Sequence, residues 1–165
     1  MLGSDLMLYL QEEYEVYGIT RENYKLSRGM SFDVLINANG NSRRFWANEH
    51  LIEDFEASTV SVYRSLTDFQ FTKYIYISSS DVYDHHDSPT TTEEASHINT
   101  KSLPPYGFHK FLSEIIVQNR ASQFLILRLC SMLGNNFKKG PFFDALSGTP
   151  LFVSLDSKFQ LITTR

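Results

Sequence analysis

The chain has 165 residues, 42% of them apolar and 14% aromatic, which is enough to bury the core of a single globular domain. Its formal charge is −4 and its Lys and Arg residues are scattered, so we expect no nucleic-acid partner. The lone cysteine, Cys130, excludes an internal disulfide and, within an apolar run, predicts a buried thiol in a reducing compartment. Because the chain shows neither a long apolar run nor a signal peptide, we expect a cytoplasmic protein and no membrane partner.

The first third of the chain predicts one helix and two strands. Leu2, Leu6, Met7 and Leu10 recur at helical spacing and predict a helix of about ten residues. Residues 14–21 (YEVYGITR) are short, β-branched and aromatic, and residues 32–40 (FDVLINANG) form an apolar run that ends in turn residues. Both segments are typical of buried parallel strands.

The rest of the chain continues the alternation. Apolar positions over residues 49–69 predict a long amphipathic helix, and a strand at residues 74–78 stops in three serines. Residues 107–119 again show helical spacing, and residues 123–134 predict another buried strand. This order favours an α/β fold with a mostly parallel sheet, whose ligand lies beyond the carboxyl ends of the strands.

One pair near the middle of the chain has a spacing that suits proton transfer. Tyr106 and Lys110 lie on one face of a helix, a turn apart. A nearby cation favours the phenolate, so a tyrosine tuned in this way can exchange a proton with a substrate hydroxyl. A serine at the end of the neighbouring strand could hold the same oxygen. Since chance also produces such a pair, the flanking sequence has to decide.

The flanking sequence resembles a known family. The strand end YISSSDVY, a polar loop containing Glu93 and Glu94, the segment PPYGFHKFLSE and the strand LILRLCSMLG occur in this order. The set is similar to the extended short-chain dehydrogenases/reductases, the NAD(P)-dependent nucleotide-sugar epimerases and dehydratases. The resemblance implies a Rossmann-like doubly wound parallel sheet. Residues 1–148 would form the NAD(P)-binding domain, and residues 149–165 would begin the substrate-binding region.

The resemblance implies catalytic roles for three residues. Tyr106 would be the general acid/base, Lys110 would lower its pKa and bind the nicotinamide ribose, and Ser79, four residues before Tyr83, would hold the substrate oxygen. Ser80 is the second choice for the serine role, and Ser80 and Asp81 would contact a nucleotide-sugar substrate. The reaction implied is hydride transfer between a sugar carbon and the nicotinamide. Dehydratases of this kind usually have an Asp-Glu pair here, so Ser80-Asp81 favours epimerisation or reduction, while Asp81 keeps dehydration open.

The resemblance also implies a cofactor side. Gly3 is similar to the last glycine of the family's Gly-x-x-Gly-x-x-Gly fingerprint. Arg21 stands where an acidic residue would accept the ribose hydroxyls of NAD, so we expect NADP as the first choice and NAD as the second. The adenosine half would be lined by the small-residue turn Asn37, Ala38, Asn39 and Gly40.

Several features depart from the family pattern. Ser58 stands where the family generally has an Asn that braces the active site, and the ten residues between Arg21 and Phe32 are too few for the usual extra strand and helix. The chain begins inside the phosphate-binding turn, without the first strand and most of the substrate domain. We therefore expect a piece of a longer enzyme that is inactive alone. The alternative is a non-catalytic relative that keeps the fold for nucleotide binding or assembly.

Other interpretations of the sequence are weaker. His85 and His86 beside Asp84 and Asp87 could suggest a metal site, but adjacent side chains point apart, so we expect no metal. A serine hydrolase would need a Gly-x-Ser-x-Gly elbow, which is missing. Relatives of this kind pair through the helices predicted at 49–69 and 107–119, so we expect a homodimer through them.

Overall fold

The computed structural model describes residues 2–86, 88–134, 140–151, 153–154 and 156–163. Asp87 and part of the predicted substrate-region start at 149–165 therefore lie outside the described residues. The chain divides into two compact units, one of residues 15–129 and one of residues 1–14 with 130–165. The predicted boundary after residue 148 remains a prediction.

The larger unit contains a parallel sheet, as the sequence predicted. Among the described residues its strands are β1 (Ser31–Asn37), β2 (Gln70–Ser79) and β3 (Phe124–Leu129), in the order β1-β2-β3. β2 begins four residues earlier than predicted. Both pairings are parallel, with Asn37 opposite Tyr76 and Ser79 opposite Leu129. The carboxyl ends of the three strands therefore meet at one edge of the sheet.

Helices connect these strands and cover the core. The connection from β1 to β2 consists of α3 (Arg44–Glu49), α4 (Leu51–Phe55), a π-helical segment (Glu56–Val60) and α5 (Ser61–Asp68), and α6 (Pro105–Arg120) connects β2 to β3. A short α2 (Tyr24–Ser27) precedes β1, and 3₁₀ turns span Ser80–Val82 and Pro89–Thr91. The helices predicted at 49–69 and 107–119 are thus confirmed. The core cluster consists of Leu35, Val62, Phe69, Tyr74, Tyr76, Val117 and Ala121.

The π-helical segment modifies the long predicted helix. A π-turn widens the helix locally, and such turns are frequent at functional sites. Here it buries Ser58 and Thr59 against α6. The Thr59 hydroxyl donates to the His109 carbonyl at 3.1 Å, and the Ser113 hydroxyl donates to the Ser58 carbonyl at 3.3 Å. The segment is therefore joined to α6 by polar contacts as well as by packing.

The strand predicted at residues 14–21 is wrong, since residues 15–20 lie outside any helix or strand. An extended segment becomes a strand only when a neighbour completes its ladder. Here a side chain bonds the backbone instead: Asn23 accepts from the Thr20 amide at 2.7 Å and donates to the Gly18 carbonyl at 2.9 Å. This local turn leads directly into α2.

The smaller unit contains α1 (Leu2–Leu10), α7 (Pro141–Leu146) and a parallel pair of β4 (Ser131–Leu133) with β5 (Leu161–Thr163). The helix predicted near the N-terminus is confirmed. The strand predicted at 123–134 divides into β3 and β4, and Cys130 between them is partly exposed rather than buried. Among the described residues, no helix is long and apolar enough to cross a membrane.

Candidate active site

The candidate site begins where β2 ends. Ser79 is the last residue of the strand, and the 3₁₀ turn that follows folds Asp81 back onto it. The Ser79 hydroxyl donates to Asp81 Oδ2 at 3.1 Å and accepts from the Asp81 amide at 3.2 Å. Ser80, the second choice for the serine role, is the partly exposed first residue of the turn. The turn thus fixes the hydroxyl of Ser79.

Helix α6 brings Tyr106 to this turn. Pro105 occupies the first turn of the helix, where its missing N–H costs nothing, and Tyr106 is only 7% exposed. Its hydroxyl is close enough to Asp81 and Ser79 for both to act on its pKa. The next residue must be glycine, because a Cβ at Gly107 would lie 2.1 Å from the Asp81 carbonyl oxygen. The absence of a side chain at Gly107 lets the helix start reach the strand end.

Lys110 lies one helical turn further and is also buried. Its ammonium donates to the Ile77 carbonyl at 3.0 Å and lies 5.1 Å from the centre of the Tyr76 ring. Ser79, Tyr106 and Lys110 are thus brought together at the carboxyl end of β2. The turn after β1 approaches the same place, since a Cβ at Gly40 would lie 3.4 Å from the Lys110 Nζ.

The electrostatics of Tyr106 differ from the sequence-based expectation. Burial and the Asp81 carboxylate raise its pKa to about 12, while the hydrogen bond with Ser79 acts in the opposite direction. The cation that lowers the pKa is Arg44, whose Nη1 lies 2.7 Å from Asp81 Oδ1. The expected lowering of this pKa by Lys110 is therefore not found. Tyr106 holds its proton at neutral pH.

Lys110 itself has a shifted pKa. Burial lowers it from 10.5 to about 8, and the carboxylates of Asp54 and Glu114 oppose the shift. Removing a cation from water disfavours its charged form, whereas a nearby negative charge favours it. Lys110 therefore remains mostly charged at neutral pH because two buried carboxylates act on it.

In the predicted cofactor turn, the side chain of one residue is already hydrogen-bonded within the protein. Asn37 is buried, and its side-chain amide donates to Ser65 Oγ at 2.9 Å and to the Tyr74 hydroxyl at 2.7 Å. Its oxygen accepts from the Asn39 amide at 2.9 Å. Asn37 thus supports the turn from inside, while Ala38, Asn39 and Gly40 form its accessible part.

A buried hydroxyl faces this turn without a partner. Ser58 Oγ is fully buried and has no hydrogen-bond partner among the described residues. A Cβ at Gly40 would lie 3.8 Å from it, and Gly40 has a φ of +128°, which favours glycine. An unsatisfied hydroxyl, a glycine turn and the Lys110 ammonium therefore lie close together at the carboxyl edge of the sheet.

Comparison with known proteins identifies the family. The family model described as "NAD dependent epimerase/dehydratase family" matches residues 25–146. The chain belongs to this family. A search of curated proteins finds no match.

Solved structures share the epimerase/dehydratase fold. Pal from Bacillus thuringiensis matches with a TM-score of 0.70 and 16% identity over 97% of this chain and 65% of its own. The dTDP-4-dehydrorhamnose reductase from Bacillus anthracis str. Ames, in complex with NADP, gives a TM-score of 0.69 and 16% identity over 89% of this chain and 56% of its own.

A third structure is a UDP-glucuronic acid 4-epimerase mutant from Bacillus cereus, in complex with UDP-4-deoxy-4-fluoro-glucuronic acid and NAD. Its TM-score is 0.68, with 19% identity over 99% of this chain and 56% of its own. The chain thus spans between 56% and 65% of the length of these three proteins. The likeness shows the Rossmann-like parallel fold.

Two further residues were assigned to the cofactor in the epimerase/dehydratase interpretation. Gly3 is in the first turn of α1, within the smaller unit. Arg21 is in an exposed turn before α2. Their roles toward a cofactor remain predictions.

The structure also reveals two buried ion pairs on α6 that sequence reasoning missed. His109 Nδ1 lies 2.6 Å from Asp54 Oδ2, and Arg128 Nη2 lies 2.7 Å from Glu114 Oε2. The available signal was an acidic residue within an apolar helical stripe, since Asp54 directly precedes Phe55. The carboxylates of both pairs, Asp54 and Glu114, act on the pKa of Lys110.

The polar loop after the site shows a shallow cavity of about 440 Å³, lined in part by Asp84, His85, Glu93 and His97. Among the described residues, no group of three or more His, Cys, Asp or Glu could hold a metal ion.

Proposed function

We propose that the chain forms the proton-transfer half of an NAD(P)-dependent enzyme that epimerises, dehydrates or reduces a nucleotide sugar. The observation that supports this most strongly is the buried set of Ser79, Tyr106 and Lys110 at the end of β2. Membership of the NAD dependent epimerase/dehydratase family agrees with it. So do solved relatives that contain UDP-glucuronic acid, UDP-glucose, NAD or NADP.

In this proposal Tyr106 moves the proton. Its hydroxyl would donate to a sugar oxygen, and the Ser79 hydroxyl would turn from Asp81 to donate a second hydrogen bond to the same oxygen. Because burial and Asp81 raise the pKa of Tyr106 to about 12, the resting side chain is a proton donor rather than a base. The Asp81 carboxylate would also contact the sugar.

The cofactor would be held by the turn after β1 and by Lys110. A nicotinamide supplies or accepts a hydride when bound. The Lys110 ammonium and the Ser58 hydroxyl would hydrogen-bond its ribose, and the backbone of Ala38 to Gly40 would contact the adenosine half. If Arg21 contacts the 2′-phosphate, the protein would bind NADP in preference to NAD.

The first experiment is cofactor binding followed by turnover. We expect the full-length protein to enhance NADPH fluorescence and to turn over UDP-glucuronic acid or dTDP-4-dehydrorhamnose. Tyr106→Phe should lower turnover by about 10²–10⁴-fold without weakening NADPH binding.

Tyr63→Phe is the matched control, because Tyr63 contacts Arg120 on the surface and its loss should leave turnover unchanged. Equal turnover by the Tyr106 and Tyr63 variants would sink the proton-transfer proposal. Failure of the full-length protein to bind NADPH or NADH would overturn the cofactor proposal.

A non-catalytic relative is the alternative, and Ser58 favours it. A serine is shorter than the asparagine of the family pattern, and its hydroxyl has no partner among the described residues. This alternative expects NADPH binding without turnover. Ser58→Asn separates the two, because a gain in turnover supports the enzyme.

We also propose a homodimer through the helices over 49–69 and 107–119. These helices expose Leu51, Ile52 and Ile115, and exposed apolar side chains favour association. Light scattering should give twice the chain mass, and Ile52→Lys should return it to the monomer. A wild-type monomer at high concentration would exclude this interface.

A further inference from the structure

The serine of the candidate site is held by one neighbouring residue through two bonds. The Ser79 hydroxyl donates to Asp81 Oδ2 at 3.1 Å, and its oxygen accepts from the Asp81 amide at 3.2 Å. Ser79 is only 8% exposed, and hydrogen bonds are stronger where water is largely excluded. The amide fixes where the serine oxygen lies, whereas the carboxylate fixes where its hydrogen points. The direction of the hydroxyl therefore depends on the orientation of the Asp81 carboxylate.

The other oxygen of this carboxylate is held by a residue from a different part of the chain. Arg44 Nη1 donates to Asp81 Oδ1 at 2.7 Å, and the two residues are 37 positions apart. A carboxylate that is bonded at one oxygen only turns easily, because its terminal torsion has a broad energy profile. With Oδ1 bonded to Arg44 and Oδ2 bonded to Ser79, the plane of the Asp81 carboxylate is defined from both ends.

The backbone that carries Arg44 is itself fixed. The Asn41 side chain accepts from the Arg43 amide at 2.8 Å and donates to the Arg43 carbonyl at 3.0 Å. The same side chain donates to the fully buried Asp54 carboxylate at 2.8 Å. Arg44 follows directly as the first residue of α3. Its side chain is 64% exposed, but it extends from a segment that is anchored to a buried group.

We infer that Arg44 is a positioning residue for Ser79 and acts through Asp81, because its guanidinium holds the carboxylate in the orientation that directs the Ser79 hydroxyl. The serine oxygen is thereby kept in one place, and only its hydrogen has to turn when a substrate oxygen arrives. That use of the hydroxyl rests on the proposed function. The chain of contacts from Arg44 to Ser79 does not rest on it.

The exposure of Arg44 sets the size of the expected effect. Ion pairs with an exposed partner are weak, and the loss of one typically shifts an equilibrium by no more than about fivefold. Water can replace the guanidinium at Asp81 Oδ1, but a mobile water does not fix the direction of that oxygen. Loss of Arg44 should therefore loosen the Ser79 hydroxyl without unfolding the protein.

The direct test measures the Ser79 side chain in the full-length protein, without cofactor or substrate. NMR with ¹³C,¹⁵N-labelled serine gives its χ1 torsion, and hydrogen exchange gives the protection of the Asp81 amide, which donates to Ser79. We expect one rotamer in the wild type. Arg44→Gln should add a second rotamer and speed the exchange of the Asp81 amide by up to about fivefold. Arg43→Gln is the matched control, since the backbone of this neighbouring arginine bonds Asn41, and it should change neither readout.

Two further comparisons show whether the effect follows the contact. Arg44→Lys keeps a cation that can reach one carboxylate oxygen, and since Arg44 bonds Asp81 through a single nitrogen, it should restore both readouts. In an Asp81→Ala background, Arg44→Gln should change the Ser79 rotamer no further, because the coupling passes through the missing carboxylate. A merely structural role of Arg44 would instead speed exchange throughout the larger unit, including at the amide of the buried Val117.

Turnover provides a third readout that depends on the proposed function. Arg44→Gln should lower kcat by up to about fivefold. It should lower kcat no further when Ser79 is already replaced by alanine, since Arg44 acts through that hydroxyl.

The outcomes separate this inference from the proposed function. An unchanged Ser79 rotamer and unchanged Asp81 exchange in Arg44→Gln would overturn the inference, as would an equal change in Arg43→Gln. An Arg44→Lys variant that behaves like Arg44→Gln, or an effect of Arg44→Gln that persists in the Asp81→Ala background, would also overturn it. Absence of turnover by the full-length protein would instead count against the proposed function and leave the rotamer result standing.

Discussion

Helix α6 takes part in two buried ion pairs, one on either side of Lys110 in sequence, and each stabilises a buried carboxylate with a different kind of partner. Glu114 faces Arg128, whose guanidinium is always charged and whose pKa is raised further by this contact. Asp54 faces His109, whose ring can be neutral. The first pair is a fixed charge pair that joins α6 to β3. The second joins α6 to α4 through a partner that does not have to be charged.

The difference matters because the two carboxylates act on the same amine. Arg128 neutralises Glu114 and also lies 4.8 Å from the centre of the Tyr83 ring, while Ser78 donates to Glu114 at 2.5 Å. This network has the features of a structural clamp, since every charge in it has a close partner. Asp54 is bonded instead by a histidine ring and an amide, neither of which is a permanent cation. We therefore expect damage to the first pair to affect stability most, and damage to the second to affect Lys110 most.

The largest expected effect is the loss of Glu114. Glu114→Gln leaves the Arg128 guanidinium, which is largely buried, without its counter-charge, and such a change typically costs about 3–5 kcal/mol. Asp54→Asn should cost less, about 1–3 kcal/mol, because His109 can remain neutral. Urea unfolding of the two variants measures both. Equal losses would contradict the distinction between the pairs.

The second prediction uses the amine between the pairs. Because the folded-state pKa of Lys110 is about 8 and its ordinary value is 10.5, the unfolded chain binds more protons at this side chain between these values. The stability of the wild type relative to Lys110→Met should therefore rise with pH, by about 2–3 kcal/mol between pH 8 and 10. Below about pH 7 Lys110 is protonated in both states, so the difference should be flat.

Urea unfolding of both proteins across this range provides the measurement. Buried tyrosines with a raised pKa, such as Tyr74, lower stability only above pH 10 and act in both proteins alike. A stability difference that falls between pH 8 and 10 would mean that Lys110 is not a buried amine.

The third prediction disturbs one end of α6 and leaves the other in place. A Cβ at Gly107 would meet the Asp81 backbone at 2.1 Å, so Gly107→Ala must displace the helix start and should cost about 1–3 kcal/mol. Tyr106 and His109 lie near this end, whereas Glu114 lies two turns away. We expect Tyr106 to move away from Ser79. An ultraviolet titration of the phenol measures the resulting change in its pKa. Retention of a pKa near 12 would show that the close approach does not position Tyr106.

The sequence predicted the sheet and the co-location of the site, for physical reasons that can be stated. Apolar runs marked the strands at 32–40 and 74–78, and the helical spacing of apolar residues marked the helices around them, because burial decides these elements. Ser79, Tyr106 and Lys110 were found together because their spacing follows from one strand end and one helix turn. By contrast, residues 14–21 have strand composition but form no ladder, and composition cannot show whether a partner exists.

The charge environment of the site could not be predicted in the same way. Asp54 and His109 are 55 residues apart, and Arg44 and Asp81 are 37 apart. These contacts depend on how the helices pack, not on local pattern. For this reason the expected lowering of the Tyr106 pKa by Lys110 was wrong, since Asp81 and burial exceed any cation nearby. Neighbouring charges in sequence are a poor guide to neighbouring charges in a fold.

The smallest predicted effect concerns the exposed pair that closes this site. Arg44 is 64% exposed and bonds Asp81 at 2.7 Å, so Arg44→Gln should cost only about 0.2–1 kcal/mol in stability. Its removal leaves the Asp81 charge unopposed next to Tyr106, so the pKa of the phenol should rise further. Arg43→Gln is the control, since Arg43 is the neighbouring arginine. An unchanged titration of Tyr106 in the Arg44 variant would mean that a solvated cation has no measurable influence on this site, and that only the buried pairs of α6 set its electrostatics.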